Sequence, residues 1–148
     1  MDPDTKEWIL PHVVEPAAGL SRLVLVALLD AYDEDVADGE ARTLLRFHPR
    51  IAPITLGIFP LVKKDGMPEK AREIVRRYLD RFPVYYDEAG AIGRRYRRQD
   101  EVGTPFCATV DGQTTTDGTV TIRERDSMKQ ERVKIEAIGD WIDGRTRG

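Results

Sequence analysis

Arginine is concentrated near the middle of the chain, where four guanidinium groups fall within five positions. The cluster consists of Arg94, Arg95, Arg97 and Arg98, with Tyr96 between the two pairs. Guanidinium groups form paired, charge-assisted hydrogen bonds with phosphate, so such a cluster is suited to a polyanionic partner. A solvated helix face balanced by neighbouring acidic side chains would have the same composition. Composition alone does not decide between the two.

A second basic set lies downstream and is interleaved with acidic residues. It comprises Arg123, Arg125, Lys129 and Arg132. These side chains could extend a polyanion-binding surface, or they could form cross-strand ion pairs that contribute little to stability. The whole chain is weakly acidic, with a net charge of -3. A non-specific nucleic-acid binder would be strongly basic, so we expect any polyanion contact to be local.

The sequence indicates neither nucleophilic catalysis nor metal binding. Cys107 is the only cysteine, and His12 and His48 lie far from it in the chain. These residues lack the spacing of a zinc site, and no glycine-rich phosphate-binding motif occurs. We therefore expect a buried Cys107, no metal and, from the lone thiol, a reducing cytoplasmic location. The longest apolar run, 23–29, is too short to span a membrane, so no membrane contact is expected.

The elements that should carry the arginines follow one another in an alternating order. A helix over 92–101, ended by Gly103 in the left-handed conformation, is predicted for the cluster. An amphipathic helix over 68–82 precedes it, since apolar residues recur there at i, i+3, i+4 and i+7. Strands are predicted at 53–62, 84–87, 106–110 and 119–124, and a last helix at 134–142. The β-α-β-α-β-β-α order predicts an α/β fold with a mixed, mainly parallel sheet flanked by helices.

The first part of the chain has a different character. Residues 9–16 are typical of a short strand, and residues 20–32 of a helix that is apolar almost all round. A helix of that kind is normally buried in a larger body, which this chain does not offer. Residues 33–42 carry five acids and a glycine and indicate an exposed linker or surface loop.

Several stretches resemble one protein family. Residues 63–72, 87–106 and 117–130 are similar to the C-terminal anticodon-binding domain of the dimeric class II glycyl-tRNA synthetases, and residues 11–25 to the third signature motif of the class II catalytic domain. The resemblance implies a sheet of about five strands flanked by helices from about residue 52. It also implies two regions: a catalytic-domain remnant with an acidic linker at 1–42, and an anticodon-binding domain at 43–148.

The resemblance also implies roles for single residues. Arg22 matches an arginine that binds the ATP phosphates, and Glu15 a glutamate that binds the glycine amino group. Ala17 stands where the family commonly has a serine. The other two signature motifs have no counterpart, so no catalytic site is complete, and this chain is expected to bind tRNA without aminoacylating it. No cofactor is expected in the isolated domain, whereas ATP with Mg would be a substrate of the full-length enzyme.

The implied partners are tRNA(Gly) and the remainder of the catalytic domain, in a full-length homodimer. Loop bases of RNA can be stacked and read at their edges by aromatic and guanidinium groups. The predicted tRNA contacts are Arg94, Arg95, Tyr96, Arg97, Arg98, Arg123 and Arg125. Tyr96 could stack on a base or anchor the helix in the core. The alternative function is a stand-alone accessory or regulatory module that binds nucleic acid or protein without catalysis.

Overall fold

A five-stranded sheet organises the second two-thirds of the protein. The computed structural model describes residues 1–10, 12–37 and 39–146. In the described residues the helices are α1 Leu20–Ala31, α2 Met67–Tyr78, α3 Ile92–Val102, α4 Gly112–Asp117 and α5 Ile138–Thr146, with a 3-10 turn at Ile135–Ala137 before α5. The strands are β1 Tyr32–Ala37, β2 Glu40–Leu45, β3 Leu56–Pro60, β4 Val84–Tyr86, β5 Phe106–Val110, β6 Thr119–Glu124 and β7 Gln130–Lys134.

The sheet has the strand order β4-β3-β5-β6-β7. β3 pairs in parallel with β4 and β5, whereas β6 is antiparallel to both β5 and β7. The α/β class with a mixed sheet of five strands is confirmed. Within this part of the chain, α4 and β7 were not predicted from the sequence. α4 is rich in threonine and depends on a capping box between Asp111 and Thr114, while β7 carries only one apolar residue, Val133.

One face of the sheet is covered by α2 and α5 and forms the main hydrophobic core. Alternate residues of the strands point to this side, among them Ile58 and Ile122, and pack against Ile74 of α2 and Ile142 of α5. Tyr78 donates a hydrogen bond from its hydroxyl to the carbonyl of Ile135 at 2.5 Å, which joins α2 to the turn before α5. Apolar residues that alternate along the strands therefore meet, in one core, the apolar residues that recur about every 3.6 positions along the helices.

The opposite face of the sheet is partly covered by α3. Phe59 of β3 meets the ring of Tyr96 edge to face, with ring centroids 5.5 Å apart. Cys107 of β5 is fully buried beneath this helix layer, as expected, and burial raises the pKa of its thiol to about 12. At neutral pH this group is therefore a thiol rather than a nucleophilic thiolate.

The expected acidic linker at 33–42 is instead a β-hairpin. β1 and β2 pair antiparallel from Tyr32 opposite Leu45 to Ala37 opposite Glu40; position 38 lies outside the described residues. Two acidic side chains of β1, Asp33 and Asp35, pair with Arg42 and Arg46, whereas Glu34 is exposed. The boundary predicted between residues 42 and 43 remains a prediction, and it falls inside β2.

The segment before the hairpin also departs from expectation. The strand predicted at 9–16 does not form in its described residues, and position 11 lies outside them. α1 forms as predicted, but its apolar side chains are open to solvent. Seven of them are 41–78% exposed: Leu20, Leu23, Val24, Leu25, Val26, Leu28 and Leu29. None of the helices formed by the described residues is long and apolar enough to cross a membrane.

α3 ends at Gly103, as the sequence predicted. Its φ of 86° lies in the left-handed region, and a Cβ there would sit 2.5 Å from Phe47 and 2.9 Å from the Leu45 carbonyl oxygen.

We expect Gly103→Ala to lower the free energy of unfolding by about 2–4 kcal/mol, measured by urea denaturation. The backbone strain of the left-handed conformation and the steric overlap of the new Cβ with its neighbours add to each other. Gly118→Ala is the control, because φ is 68° but nothing lies within 4 Å. It should cost only about 1 kcal/mol. Equal losses would contradict the overlap.

Candidate nucleic-acid interface

A polar groove lies beside α3 on the face of the sheet opposite the main core. One part, of about 500 Å³, is lined by residues of the hairpin, α3 and the β6–β7 region; the adjoining part, of about 280 Å³, extends over β5 and β6. Tyr96 and Gln130 line both parts, which we together name the groove. Other lining residues are Glu40, Leu61, Ala91, Ile92, Gly93, Arg94, Arg97, Thr109, Asp111, Thr121, Arg123 and Met128. The lining thus offers both donors and acceptors.

The groove is polar because β6 and β7 alternate. Val120 and Ile122 point into the main core, so Thr121 and Arg123 point to the opposite face. Gln130 and Arg132 do the same on β7, next to β6 in register. α3 packs over β3 and against β2, and it leaves this side of β6 and β7 largely uncovered. A row of polar side chains, of which Gln130 is exposed and Arg123 is buried, therefore lies beside the arginine helix.

The four arginines of α3 point in different directions. Arg94 is exposed and lines the groove. Arg97 also lines it, and its Nη2 donates to the Ala37 carbonyl of the hairpin at 3.2 Å. Arg98 is turned away toward Asp87, with Nη2 2.5 Å from the carboxylate, and toward the Ala89 carbonyl at 2.8 Å. Arg94 is thus free to meet a polyanionic partner, whereas Arg98 is balanced by a neighbouring acidic side chain.

Three of the predicted contact residues face inward, contrary to the outward orientation that the sequence analysis assumed. Arg95 is 3% exposed and donates to the carbonyls of Pro60 and Gly90, where β3 ends and the loop before α3 passes. Arg125 is 2% exposed and donates to the carbonyls of Gly103 and Phe47 at 2.8 and 2.9 Å. Arg125 thus donates to carbonyls of two buried residues, and Arg95 to one of a buried and one of an exposed residue.

Arg123 is the third inward-facing arginine. It is 5% exposed and forms an ion pair with the buried carboxylate of Asp100 on α3. Its guanidinium carbon also lies 4.3 Å from the centroid of the Tyr96 ring. Arg123 therefore forms part of the groove floor while its charge is directed into the protein. A tRNA contact by Arg95, Arg123 or Arg125 remains a prediction.

Tyr96 is both packed and on the groove wall. Its hydroxyl hydrogen-bonds with Thr109 Oγ1 at 2.6 Å, and one side of its ring meets Phe59. Burial raises the pKa of this phenol, so the hydroxyl stays protonated at neutral pH. The ring is held by these contacts and by Arg123, yet it still lines the groove. The two sequence interpretations of Tyr96, base platform and core anchor, are therefore compatible.

An ion pair between Asp111 and Arg132, which was not predicted from the sequence, lies at the groove margin. Arg132 of β7 holds Asp111 in a bidentate pair at 2.5 and 2.9 Å and donates to the hydroxyls of Thr119 and Thr121. Asp111 also caps α4 by accepting from the Thr114 amide at 3.0 Å. The polar alternation at 119, 121 and 123 and at 130, 132 and 134 was the available signal, but only the strand pairing brings both rows onto one face.

Two guanidinium donors beside the groove are unsatisfied. Arg97 Nη1 and Arg123 Nε are buried and make no hydrogen bond with any described residue. Buried donors without acceptors cost free energy, so these two positions are locally unfavourable.

The predicted ATP and glycine contacts lie in a different part of the chain. Glu15 precedes α1 and Arg22 lies in its first turn; both are exposed, and neither pairs with another described residue. They are not among the residues that line the groove. Within the described residues no cluster of His, Cys, Asp and Glu has the arrangement of a metal site.

The pair of Asp111 and Arg132 makes stability depend on pH. The hydrogen bonds from Arg132 are the largest cause that lowers the pKa of Asp111, from 3.8 to about 2. Stabilisation by the pair is therefore complete above about pH 4 and is lost as pH falls toward 2. Asp111→Asn keeps a capping oxygen but removes the charge.

We expect Asp111→Asn to lower the free energy of unfolding by about 1–2 kcal/mol at pH 7. The difference from wild type should shrink as pH falls from about 4 toward 2, since the Asp111 carboxylate of the unfolded wild-type chain is protonated first, at its ordinary pKa of 3.8, and that of the folded protein only near pH 2. Urea denaturation of both proteins from pH 7 to pH 3 measures this difference in the free energy of unfolding. A difference that stays constant over this range would show that the charge of Asp111 contributes nothing.

Comparison with known proteins relates this arrangement to a family. The family described as Anticodon binding domain matches residues 55–145, which include the five strands of the sheet and nearly all of α2 to α5. This match agrees with the resemblance recognised in residues 63–72, 87–106 and 117–130.

Curated relatives match almost the whole chain. A glycine–tRNA ligase of Rhodopirellula baltica is 52% identical over 99% of this chain, which spans 28% of that ligase. Those of Borreliella burgdorferi and Clostridium acetobutylicum are 51% and 49% identical over 93% and 97% of the chain, which spans 31% of each. The chain therefore spans about 30% of the length of these relatives. Because the family match covers more than half of the chain and builds both the sheet and most of the groove, the chain belongs to the anticodon binding domain family.

Proposed function

We propose that this chain is the anticodon-recognition part of a glycine–tRNA ligase, and that the groove receives bases of the anticodon loop. The observation that carries this proposal is the open polar groove beside α3, with Arg94 exposed on its wall and the Tyr96 ring held beside it. Sequence-specific RNA recognition targets unstacked loop bases, whose edges and faces need such a mixture of donors, acceptors and aromatic surface.

The groove residues have different roles in the proposed binding. Arg94 contacts the RNA backbone, since it is exposed and has no competing partner among the described residues. Gln130 and Arg97 line the space in which a base edge would lie. Arg95, Arg98 and Arg125 are engaged by carbonyls or carboxylates, so they shape the surface, and a direct contact of these residues with tRNA remains a prediction. Affinity then rests on a few phosphate contacts, in keeping with the weak net charge.

The longer protein would carry the chemistry. We infer that it activates glycine with ATP and Mg²⁺, transfers the glycyl group to tRNA(Gly), and works as a cytoplasmic homodimer. In that setting Arg22 binds the ATP phosphates and Glu15 the amino group of glycine. The exposed apolar side chains of α1 would be buried against the rest of the catalytic domain, because a surface of this kind is unfavourable in water. This chain by itself is expected to bind tRNA and not to aminoacylate it.

Arg94→Ala tests the groove. We expect it to weaken binding of a labelled glycine anticodon stem-loop about fivefold in fluorescence anisotropy, and to reduce the slope of log affinity against log salt by about one, because one phosphate contact is lost. Wild type should prefer this stem-loop over that of an unrelated tRNA.

Arg77→Ala is the matched control. Arg77 is an exposed arginine of α2, which packs on the opposite face of the sheet. Its replacement by alanine removes the same positive charge as Arg94→Ala. Its affinity and salt slope should remain close to wild type. Equal effects of the two substitutions would reduce the proposal to a general charge effect and contradict a binding site in the groove.

A further inference from the structure

Asp100 joins three parts of the fold that are distant in sequence. Its side chain is 0% exposed, and it accepts from Arg42 Nη1 at 3.3 Å and from Arg123 Nη2. Arg42 comes from β2 of the hairpin and Arg123 from β6 of the sheet, whereas Asp100 lies in the last turns of α3. A buried carboxylate needs such partners, because an unpaired charge inside the protein is strongly destabilising.

Arg42 is held on all sides, so it has no freedom to leave Asp100. Asp35 of the same hairpin accepts from its Nε at 2.7 Å and from its Nη2 at 2.5 Å. Nη1 also donates to the Arg125 carbonyl at 3.0 Å and contacts the Met128 sulfur at 3.2 Å. The hydrogen bond to Arg42 is the largest cause that lowers the pKa of Asp35, so this carboxylate stays charged at neutral pH. The hairpin is thereby fixed to the β6–β7 turn.

The same network reaches the groove. Arg123 lies under the Tyr96 ring, and its Nη1 is 3.1 Å from the Met128 sulfur, which Arg42 also contacts. A thioether is a weak acceptor, so Asp100 is the strong partner that holds Arg123 in place. On the other side of the groove, Arg97 donates to the Ala37 carbonyl of the hairpin, and Glu40 of β2 lies 3.7 Å from its Nη2.

We infer that Arg42 and Asp100 are positioning residues for RNA recognition, and that the hairpin is a working part of the groove rather than a linker. Arg42 touches no ligand; it holds the hairpin wall and, through Asp100, the Arg123 and Tyr96 pair at the spacing the bases need. This inference rests on the proposed function. It differs from a merely structural role, since affinity should fall even where the protein is fully folded.

The test uses Arg42→Met, which keeps the apolar stem and removes the guanidinium group. At a temperature where thermal melting shows the variant folded, affinity for the glycine anticodon stem-loop should fall about tenfold, a size that coupling through packed networks reaches. The salt slope should stay at the wild-type value, since no phosphate contact is lost. Arg94→Ala lowers that slope, so the two effects are distinguishable.

Two controls lie on the opposite face of the sheet. Arg77→Met removes one exposed charge, and Tyr78→Phe removes the buried hydrogen bond to the Ile135 carbonyl and lowers stability. Both should bind like wild type under the same conditions. If Arg42→Met is unfolded, Asp35→Asn is used instead. This substitution weakens the ion pair of Arg42 with position 35 and leaves its buried pair with Asp100 intact. A loss of about threefold is then expected.

The outcomes separate the two proposals. If wild type binds the glycine stem-loop selectively and the hairpin variant binds equally well, the positioning role is overturned and the proposed function stands. The positioning role is also overturned if Tyr78→Phe weakens binding as much as the hairpin variant does, since loss of stability then explains both. If wild type shows no preference for the glycine stem-loop, the proposed function fails and this inference fails with it.

Discussion

The carboxylate of Asp100 lies inside the protein between two guanidinium groups, one from the hairpin and one from the sheet. A charge removed from water is tolerated only when partners replace its hydration, and here those partners come from β2 and β6. Their positions are therefore linked to that of α3. The groove owes its shape to this requirement, since the hairpin forms one wall, α3 another and Arg123 the floor.

Arginine serves two purposes in this protein, and helix geometry separates them. Successive residues of α3 are rotated by about 100°, so four arginines within five positions cannot all face one partner. Arg94 faces solvent, whereas Arg95 reaches the carbonyls of Pro60 and Gly90. A guanidinium group has five donors and can bond several carbonyls at once, so an arginine directed inward and one exposed beside the groove look alike in sequence.

Elements with their own local signals were predicted, and elements that depend on a neighbour were not. α2 was predicted from its apolar stripe and the end of α3 from Gly103, both of which are local features. The hairpin was predicted as a loop because its acidic strand lacks apolar alternation. In the folded protein Arg42 and Arg46 pair with Asp33 and Asp35 of that strand. β7 was missed for a similar reason, since its charged residues become a strand only by pairing with β6.

The sequence by itself determined the α/β class, the helix that carries the arginine cluster, and the family. These follow from local periodicity, from stop signals and from long matching stretches. Only the tertiary structure decided which arginines face the groove. Arg42 meets Asp100 across 58 residues and Arg123 meets it across 23, and Arg42 reaches the Arg125 carbonyl across 83. The direction of a long charged side chain is set by the nearest acceptor in space, and no local pattern of residues contains that information.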